Sequence, residues 1–327
     1  MPPSDIQEQL IKHLTDMHSI EVQAQAQMKA APGMAGSDEL ARMYEQHERE
    51  TAEHKRMVGE RLEALGESPS KLKDVVAGAV AVPFIMFAKS QPDTPGKLAT
   101  HALSYEHMEH AGYELLQRLA ERAGDTETAR VARTIAEQEL AMAERIESHF
   151  DESVDASLRD QSPDDLKEQV VKYLADAHAI ENQSIQLLQS GPKIIGQGDL
   201  AKIMEDHLHE SRAQQAAVEA RLEALGGSPN KLKDAALRLG ALNWGGFFQA
   251  QPDTPAKLAG FAHAVEFLEV GAYEQLKRVA QRAGDEETVR IAERIAAEER
   301  AAGSMIATHW DDAVDATIEK RDLSATR

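Results

Sequence analysis

The chain has no cysteine. Disulfides, thiolate metal sites and a cysteine nucleophile are therefore excluded. Aromatic residues make up only 4% of it, while Ala, Glu, Leu, Gln and Arg dominate, and that balance favours helix. Long apolar runs are lacking too. The longest uncharged one, Val75 to Ala88, contains Pro83 and falls short of the ~20 residues that span a bilayer. Positive charge is scarce: 36 Lys and Arg against 56 Asp and Glu give a net charge of −20. Such a chain has no reason to bind nucleic-acid backbones or an anionic membrane, and it attracts cations. The opening Met-Pro-Pro-Ser-Asp has no basic segment leading into an apolar core, so a secretory leader is not expected and the expected location is cytoplasmic.

What the chain does have is a duplication. Met43-Tyr-Glu-Gln-His-Glu-Arg-Glu-Thr-Ala-Glu-His54 returns 160 positions later as Ile203-Met-Glu-Asp-His-Leu-His-Glu-Ser-Arg-Ala-Gln214. Arg61-Leu-Glu-Ala-Leu-Gly66 returns as Arg221 to Gly226, and Gln91-Pro-Asp-Thr-Pro95 as Gln251 to Pro255. Two domains follow, 1–158 and 159–327.

Each half punctuates itself as four long helices. Ser4-x-x-Gln7 starts the first, with apolar positions at Ile6, Leu10, Leu14, Met17 and Ile20; Ala31-Pro32-Gly33 ends it. Ser37-Asp38 starts the second, which stops at Gly66. A long connection follows, holding the apolar run Val75–Ala88 in one half and Leu239–Ala250 in the other. Thr94-Pro95 opens the third helix, Gly124-Asp125 breaks it, and the fourth runs to about Val154. No segment alternates with period two long enough to form a strand. The expected fold is all-α: two tandem ferritin-like four-helix bundles, each with a long crossover between its second and third helices. The apolar crossovers are expected to help the two bundles pack on each other as a pseudo-dimer, because exposed apolar patches of that size are uncommon.

The middle of each helix carries acids on its apolar stripe. The first helix offers Glu21 and its counterpart Glu181. The second offers His47 and Glu50, matched by His207 and Glu210; His54 shares their stripe but maps to Gln214 and so ranks lower. The third offers Glu106 and Glu109, matched by Glu266 and Glu269, and the fourth offers Glu139, matched by Glu299. At ~1.5 Å per residue these positions fall roughly 15–22 Å along helices about 40 Å long, which is one layer near mid-height. An ion-paired, solvated face explains any one of these acids. Recurrence of the whole set in both halves favours a buried carboxylate layer, which needs compensating charge. Carboxylate oxygens with an imidazole suit iron or manganese, two ions per bundle.

His47-Glu-Arg-Glu-Thr51, Arg61-Leu-Glu-Ala-Leu-Gly66 and Glu106-His-Met-Glu-His-Ala-Gly-Tyr113 resemble the YciE/YciF family of ferritin-like stress proteins, in two copies covering nearly the whole chain. The resemblance implies small bacterial ferritin-like bundles with a two-metal centre. The implied ligands are Glu21, Glu50, Glu106, Glu109 and Glu139 in one half and Glu181, Glu210, Glu266, Glu269 and Glu299 in the other. Two departures stand out. Ferritin-like di-iron proteins use Glu-x-x-His on two helices, whereas here the second helix has the reverse order, His47-x-x-Glu50, and the fourth has Met142 or Ala302 in place of histidine. The expected site is therefore carboxylate-rich with at most one imidazole. The expected activity is oxidation of ferrous iron by dioxygen or peroxide, or removal of peroxide. The competing expectation is a metal-free helical stress or scaffold protein acting through its apolar crossovers. Tyr113 and Tyr273 are candidates to hold a ligand carboxylate from behind.

Overall fold

A computed structural model describes residues 3–69, 94–195, 198–229 and 254–325. The two crossovers, with their apolar runs Val75–Ala88 and Leu239–Ala250, lie outside the described residues. The described chain is all-helical and falls into two compact units, Met1–Arg159 and Asp160–Arg327. Each is a four-helix bundle with a short added helix.

In the first unit, α1 (Pro3–Ala30) passes through a 3-10 turn (Ala31–Met34) into α2 (Asp38–Ala64). After the crossover come α3 (Thr94–Ala123), α4 (Thr126–Ser148) and a short α5 (Phe150–Leu158). The second unit repeats this order as α6 (Leu166–Ile195), α7 (Asp199–Ala224), α8 (Thr254–Ala283), α9 (Glu286–Ala307) and α10 (Trp310–Ala325). The short links make α1–α2 and α3–α4 hairpins of neighbours. α1 also packs on α3 and α2 on α4, which leaves α1/α4 and α2/α3 as the diagonals. A simple up-down-up-down bundle would put α2 beside α3. The crossover lets the second hairpin pack with the other handing, the ferritin-like arrangement.

Local chemistry sets the helix ends. Gly124, at φ +75°, takes the left-handed turn that ends α3, and the Asp125 N–H reaches back to the Ala120 carbonyl at 2.9 Å. The Asp125 carboxylate then caps α4, accepting from Thr128 N at 3.0 Å. Arg61, near the end of α2, donates to the same carboxylate at 3.0 Å and to Thr128 Oγ1 at 2.9 Å. Asp285, Thr288 and Arg221 repeat the arrangement. This latch accounts for the arginine in the repeated Arg-Leu-Glu-Ala-Leu-Gly stretch.

The fourth helix differs from its expected course. It stops at Ser148 rather than running on to Val154. The Ser148 hydroxyl and His149 Nδ1 both bond to the Arg145 carbonyl at 2.7 Å, which takes the place of a continuing backbone bond. Thr308 and His309 do the same to Met305 O at 2.7 and 3.0 Å. The chain then turns into α5, which packs on α3. There the Ser157 hydroxyl accepts from the free Gly96 N–H at the start of α3, 2.8 Å away, and Thr317 does so for Ala256 at 2.9 Å. Gly36 sits where α3 and α5 meet; a Cβ there would come within 2.7 Å of Pro95 and 2.9 Å of Ala156, and its φ of +76° suits glycine alone.

Leu10, Leu14 and Met17 of α1, Leu62 of α2, Leu103 and Leu116 of α3 and Ile135, Met142 and Ile146 of α4 fill the first core. No described helix is long and apolar enough to cross a membrane.

Candidate metal centre

Each core is interrupted at mid-height by a layer of acids. In the first bundle Glu21, Glu106, Glu109 and Glu139 are essentially inaccessible to solvent, and so are His47 and His54. Their neighbours along each helix are apolar and buried, so the helical period that buries Ile135, Met142 and Ile146 also buries Glu139.

The layer resolves into two overlapping trios. His47, Glu106 and Glu139 form one, and Glu21, His54 and Glu139 the other; within each trio the potential donor atoms lie within 4.8 Å of one another. His47 Nε2 is 3.0 Å from Glu106 Oε2 and 3.7 Å from Glu139 Oε2. His54 Nδ1 is 2.8 Å from Glu139 Oε1 and 3.9 Å from Glu21 Oε1. Glu139 is thus common to both trios and turns one oxygen to each. Glu109 lies in the same layer with neither oxygen hydrogen-bonded.

A set of supporting groups holds the donors from behind. Tyr113 donates a short hydrogen bond to Glu21 Oε1. Gln138 Oε1 accepts from His54 Nε2 at 2.8 Å, which leaves Nδ1 for the centre. Glu50 Oε2 accepts from His47 Nδ1 at 3.2 Å, which leaves Nε2 for the centre.

Two expectations change here. Glu50, read from the sequence as an inward ligand, lies at the rim with 29% of its side chain exposed, on the far side of His47 from the cluster. Arg145 Nη2 stands 3.6 Å from it. Its counterpart Glu210 is 63% exposed. His54, ranked low from the sequence, is in the centre, so the first bundle has two imidazoles rather than at most one. Helical phase explains both findings. Residues seven apart differ by ~20° around a helix and residues three apart by ~60°. His54 therefore follows His47 inward, while Glu50 swings to the edge. The sevenfold spacing of the two histidines was the available signal.

The second bundle keeps His207, Glu266 and Glu299 as a trio, with His207 Nε2 2.8 Å from Glu266 Oε2 and 3.1 Å from Glu299 Oε2. Glu181 and Glu269 are buried in the same layer. Tyr273 donates to Glu181, and Glu210 accepts from His207 Nδ1 at 3.0 Å. Gln214 stands in the place of His54.

Burial dominates the protonation of these acids. It pushes Glu21 up to about 8, with help from the charge of Glu139, and Glu181 likewise to about 8. Burial brings Glu106 to about 7 against the pull of His47. Burial and the neighbouring acids hold Glu109 and Glu269 well above the usual carboxylate range. For Glu139 burial is outweighed by the hydrogen bond from His54 and the charges of both imidazoles, and its pKa is lowered. Glu299, with one imidazole, stays well above the usual range because burial prevails. Desolvation disfavours a charged His54, but Glu139 reverses this and raises it to about 9.

Buried carboxylate oxygens without a donor are costly unless something compensates them. Both oxygens of Glu109 and of Glu269, and Oε2 of Glu21 and of Glu181, are in that position. The donor set, carboxylate oxygens with imidazole nitrogen, is the chemistry that holds a transition-metal ion. The buried His and Glu groups of both bundles could hold metal. The remaining trio, Glu39, His149 and Glu152, lies at the end of the first bundle, with Glu39 exposed and the other two half-buried; His149 there serves the helix end. His107 is buried, and His110 bonds to the Ala136 carbonyl at 3.0 Å.

No solved structure matches the chain. A family model described as "Domain of unknown function (DUF892)" matches it twice, over residues 5–159 and 165–319. The two matches meet the two bundles and take in both acid layers, and the chain belongs to this family, the YciF/YciE-like group, as two copies in tandem.

Proposed function

We propose that the protein is a ferritin-like carboxylate protein with a two-metal centre of iron or manganese in each bundle, acting in ferrous-iron oxidation or peroxide removal under stress. The observation that carries this reading is Glu139, which offers one oxygen to each of two trios in a water-poor core. Two ferrous ions held together supply two electrons, the number that takes dioxygen to hydrogen peroxide or peroxide to water.

The chain's own residues prepare the place. Glu106 with His47, and Glu21 with His54, would hold the ions from either side, with Glu139 available to both. Glu109 adds two further oxygens. Tyr113 fixes the orientation of Glu21; Gln138 and Glu50 fix the two rings and their tautomers. The apolar side chains above and below exclude bulk water, which strengthens every charge interaction within the layer. Glu21, pushed up to about 8 by burial, holds a proton near neutral pH that a bound cation would displace, and burial likewise holds Glu109 well above the usual carboxylate range. A pocket of about 260 Å³ lined by Gln46, Arg49, Glu50, Glu53, His54 and Gln138 opens beside the centre and offers a way in.

The test is metal content after purification without chelator, followed by oxygen or peroxide consumption on adding ferrous salt. About two ions per bundle with consumption supports the reading. No bound metal after anaerobic iron loading removes it and leaves the metal-free scaffold.

A further inference from the structure

The two centres differ at one donor, and the difference is tied to a second change beside it. In the first bundle the imidazole of His54 is tethered outward by Gln138 and presents Nδ1 to Glu139. In the second bundle both members are replaced, His54 by Gln214 and Gln138 by Glu298. The tether survives with its polarity restated: Gln214 Nε2 donates to Glu298 Oε2 at 3.1 Å. Glu298 is itself held by Arg294 Nη1 at 2.9 and 3.0 Å.

A carboxylate paired with arginine only accepts hydrogen bonds, so the amide nitrogen of Gln214 must face Glu298. Its carbonyl oxygen then faces away from that tether. Gln214 is 1% exposed, and its Oε1 has no hydrogen-bond partner. Two carboxylate oxygens from the same layer are in the same condition, Glu181 Oε2 and Glu299 Oε1. These three residues are the counterparts of Glu21, His54 and Glu139, which form one of the first bundle's trios. A buried carbonyl oxygen with no donor is costly. A cation held among the three, where the first bundle gathers their counterparts, would remove that cost.

We infer that Glu181, Gln214 and Glu299 form an all-oxygen cation site that favours ferrous ion less, and accepts a hard divalent ion such as manganous or magnesium ion more readily, than its imidazole-bearing counterpart in the first bundle. The chain would then carry unlike centres: imidazole at both positions of the first bundle, and imidazole at only one position of the second. This inference rests on the metal-centre reading above. Imidazole favours iron over manganese, whereas carboxylate and carbonyl oxygens suit manganese and magnesium. Replacing nitrogen by oxygen at one position shifts that preference there and leaves the other positions as they are. Glu298 is a positioning residue that fixes which end of the amide faces the centre.

The experiment loads the full chain anaerobically with ferrous salt and a large excess of manganous salt, which offsets the general preference of any such site for iron, then removes unbound metal and counts both. The wild type should retain about one manganese and three iron ions per chain. The manganese should give the six-line paramagnetic resonance signal of a manganous ion. Gln214→His should exchange that manganese for iron. His54→Gln combined with Gln138→Glu should add a second manganese in the first bundle. Glu298→Ala, which leaves Gln214 in place but untethered, should weaken manganese retention by about tenfold or more. A melting curve on each variant shows that it is folded; if Gln214→His does not fold, the Glu298→Ala result decides. Four iron ions and no manganese in the wild type would overturn the inference and leave the two-metal reading intact. So would manganese unaffected by Glu298→Ala and by Gln214→His. No bound metal of either kind would remove both.

Discussion

His54 Nδ1 stands 2.8 Å from Glu139 Oε1, and the second oxygen of Glu139 faces His47 Nε2 at 3.7 Å. One carboxylate is therefore the hinge of the first centre. Glu139→Gln keeps its volume and removes its charge. We expect it to abolish both ions of the first bundle and to leave those of the second in place, as read by elemental analysis of the full chain. Loss of metal from both bundles would show that the centres are not independent.

Tyr113→Phe and Tyr273→Phe each remove the hydroxyl that holds a buried glutamate, Glu21 or Glu181. A buried carboxyl left without its donor costs about 1–3 kcal/mol. Metal affinity in the same bundle should fall by about tenfold or more, since such outer partners orient the ligand. Chemical denaturation in chelator and a ferrous titration measure the two effects separately.

The metal-free protein should lose stability as pH rises. Glu21 and Glu181 titrate at about 8 when folded, against 4.5 ordinarily, and His54 at about 9 against 6.5. A group whose folded pKa is raised contributes stability that is complete below its unfolded pKa and is lost as pH climbs through the folded one. For the acids that window runs from 4.5 to about 8, and for His54 from 6.5 to about 9. Melting temperature in chelator should therefore fall between pH 5.5 and 8.5. The gain on adding metal should grow over the same range, because cations displace the protons. A melting temperature that rises with pH in chelator would contradict this.

The latch between α2 and α4 gives a test unconnected with metal. Asp125→Ala removes a helix cap, at a cost of about 1 kcal/mol, and strips Arg61 of its carboxylate partner. We expect a total loss of roughly 2 kcal/mol, with the same loss for Asp285→Ala. A double-mutant cycle with Arg61→Ala should show coupling between the pair, while metal content stays unchanged.

Much of this was legible in the sequence. The caps, Gly124, the apolar stripes and the duplication placed the helices, and helical rise put Glu21, Glu106, Glu109 and Glu139 at one height. The end of α4 was not legible, because it depends on Ser148 and His149 bonding back to one carbonyl rather than on a glycine or proline. Glu50 was misplaced because sharing a stripe within a turn is a looser condition than facing the same point. His54 was undervalued for an instructive reason. Comparing the halves retains what they share, so it discards the residue by which they differ. The orphaned oxygen of Gln214 depends on which end of an amide meets Glu298, and that appears only in three dimensions.

The short helix α5 contributes no residue to the centre, yet Ser157 caps the start of α3, which carries Glu106 and Glu109. Residue 157 is almost the last of its unit to be made. During synthesis, α3 emerges with its leading end open and waits for some 60 residues, from Gly96 to Ser157, before that end is closed. Domains generally fold as units, the N-terminal one first. The first bundle can therefore finish only when its tail has left the ribosome, shortly before α6 begins. A chain ended between Ser148 and Ala156 would carry every ligand of the first centre and leave the helix that holds two of them unfastened.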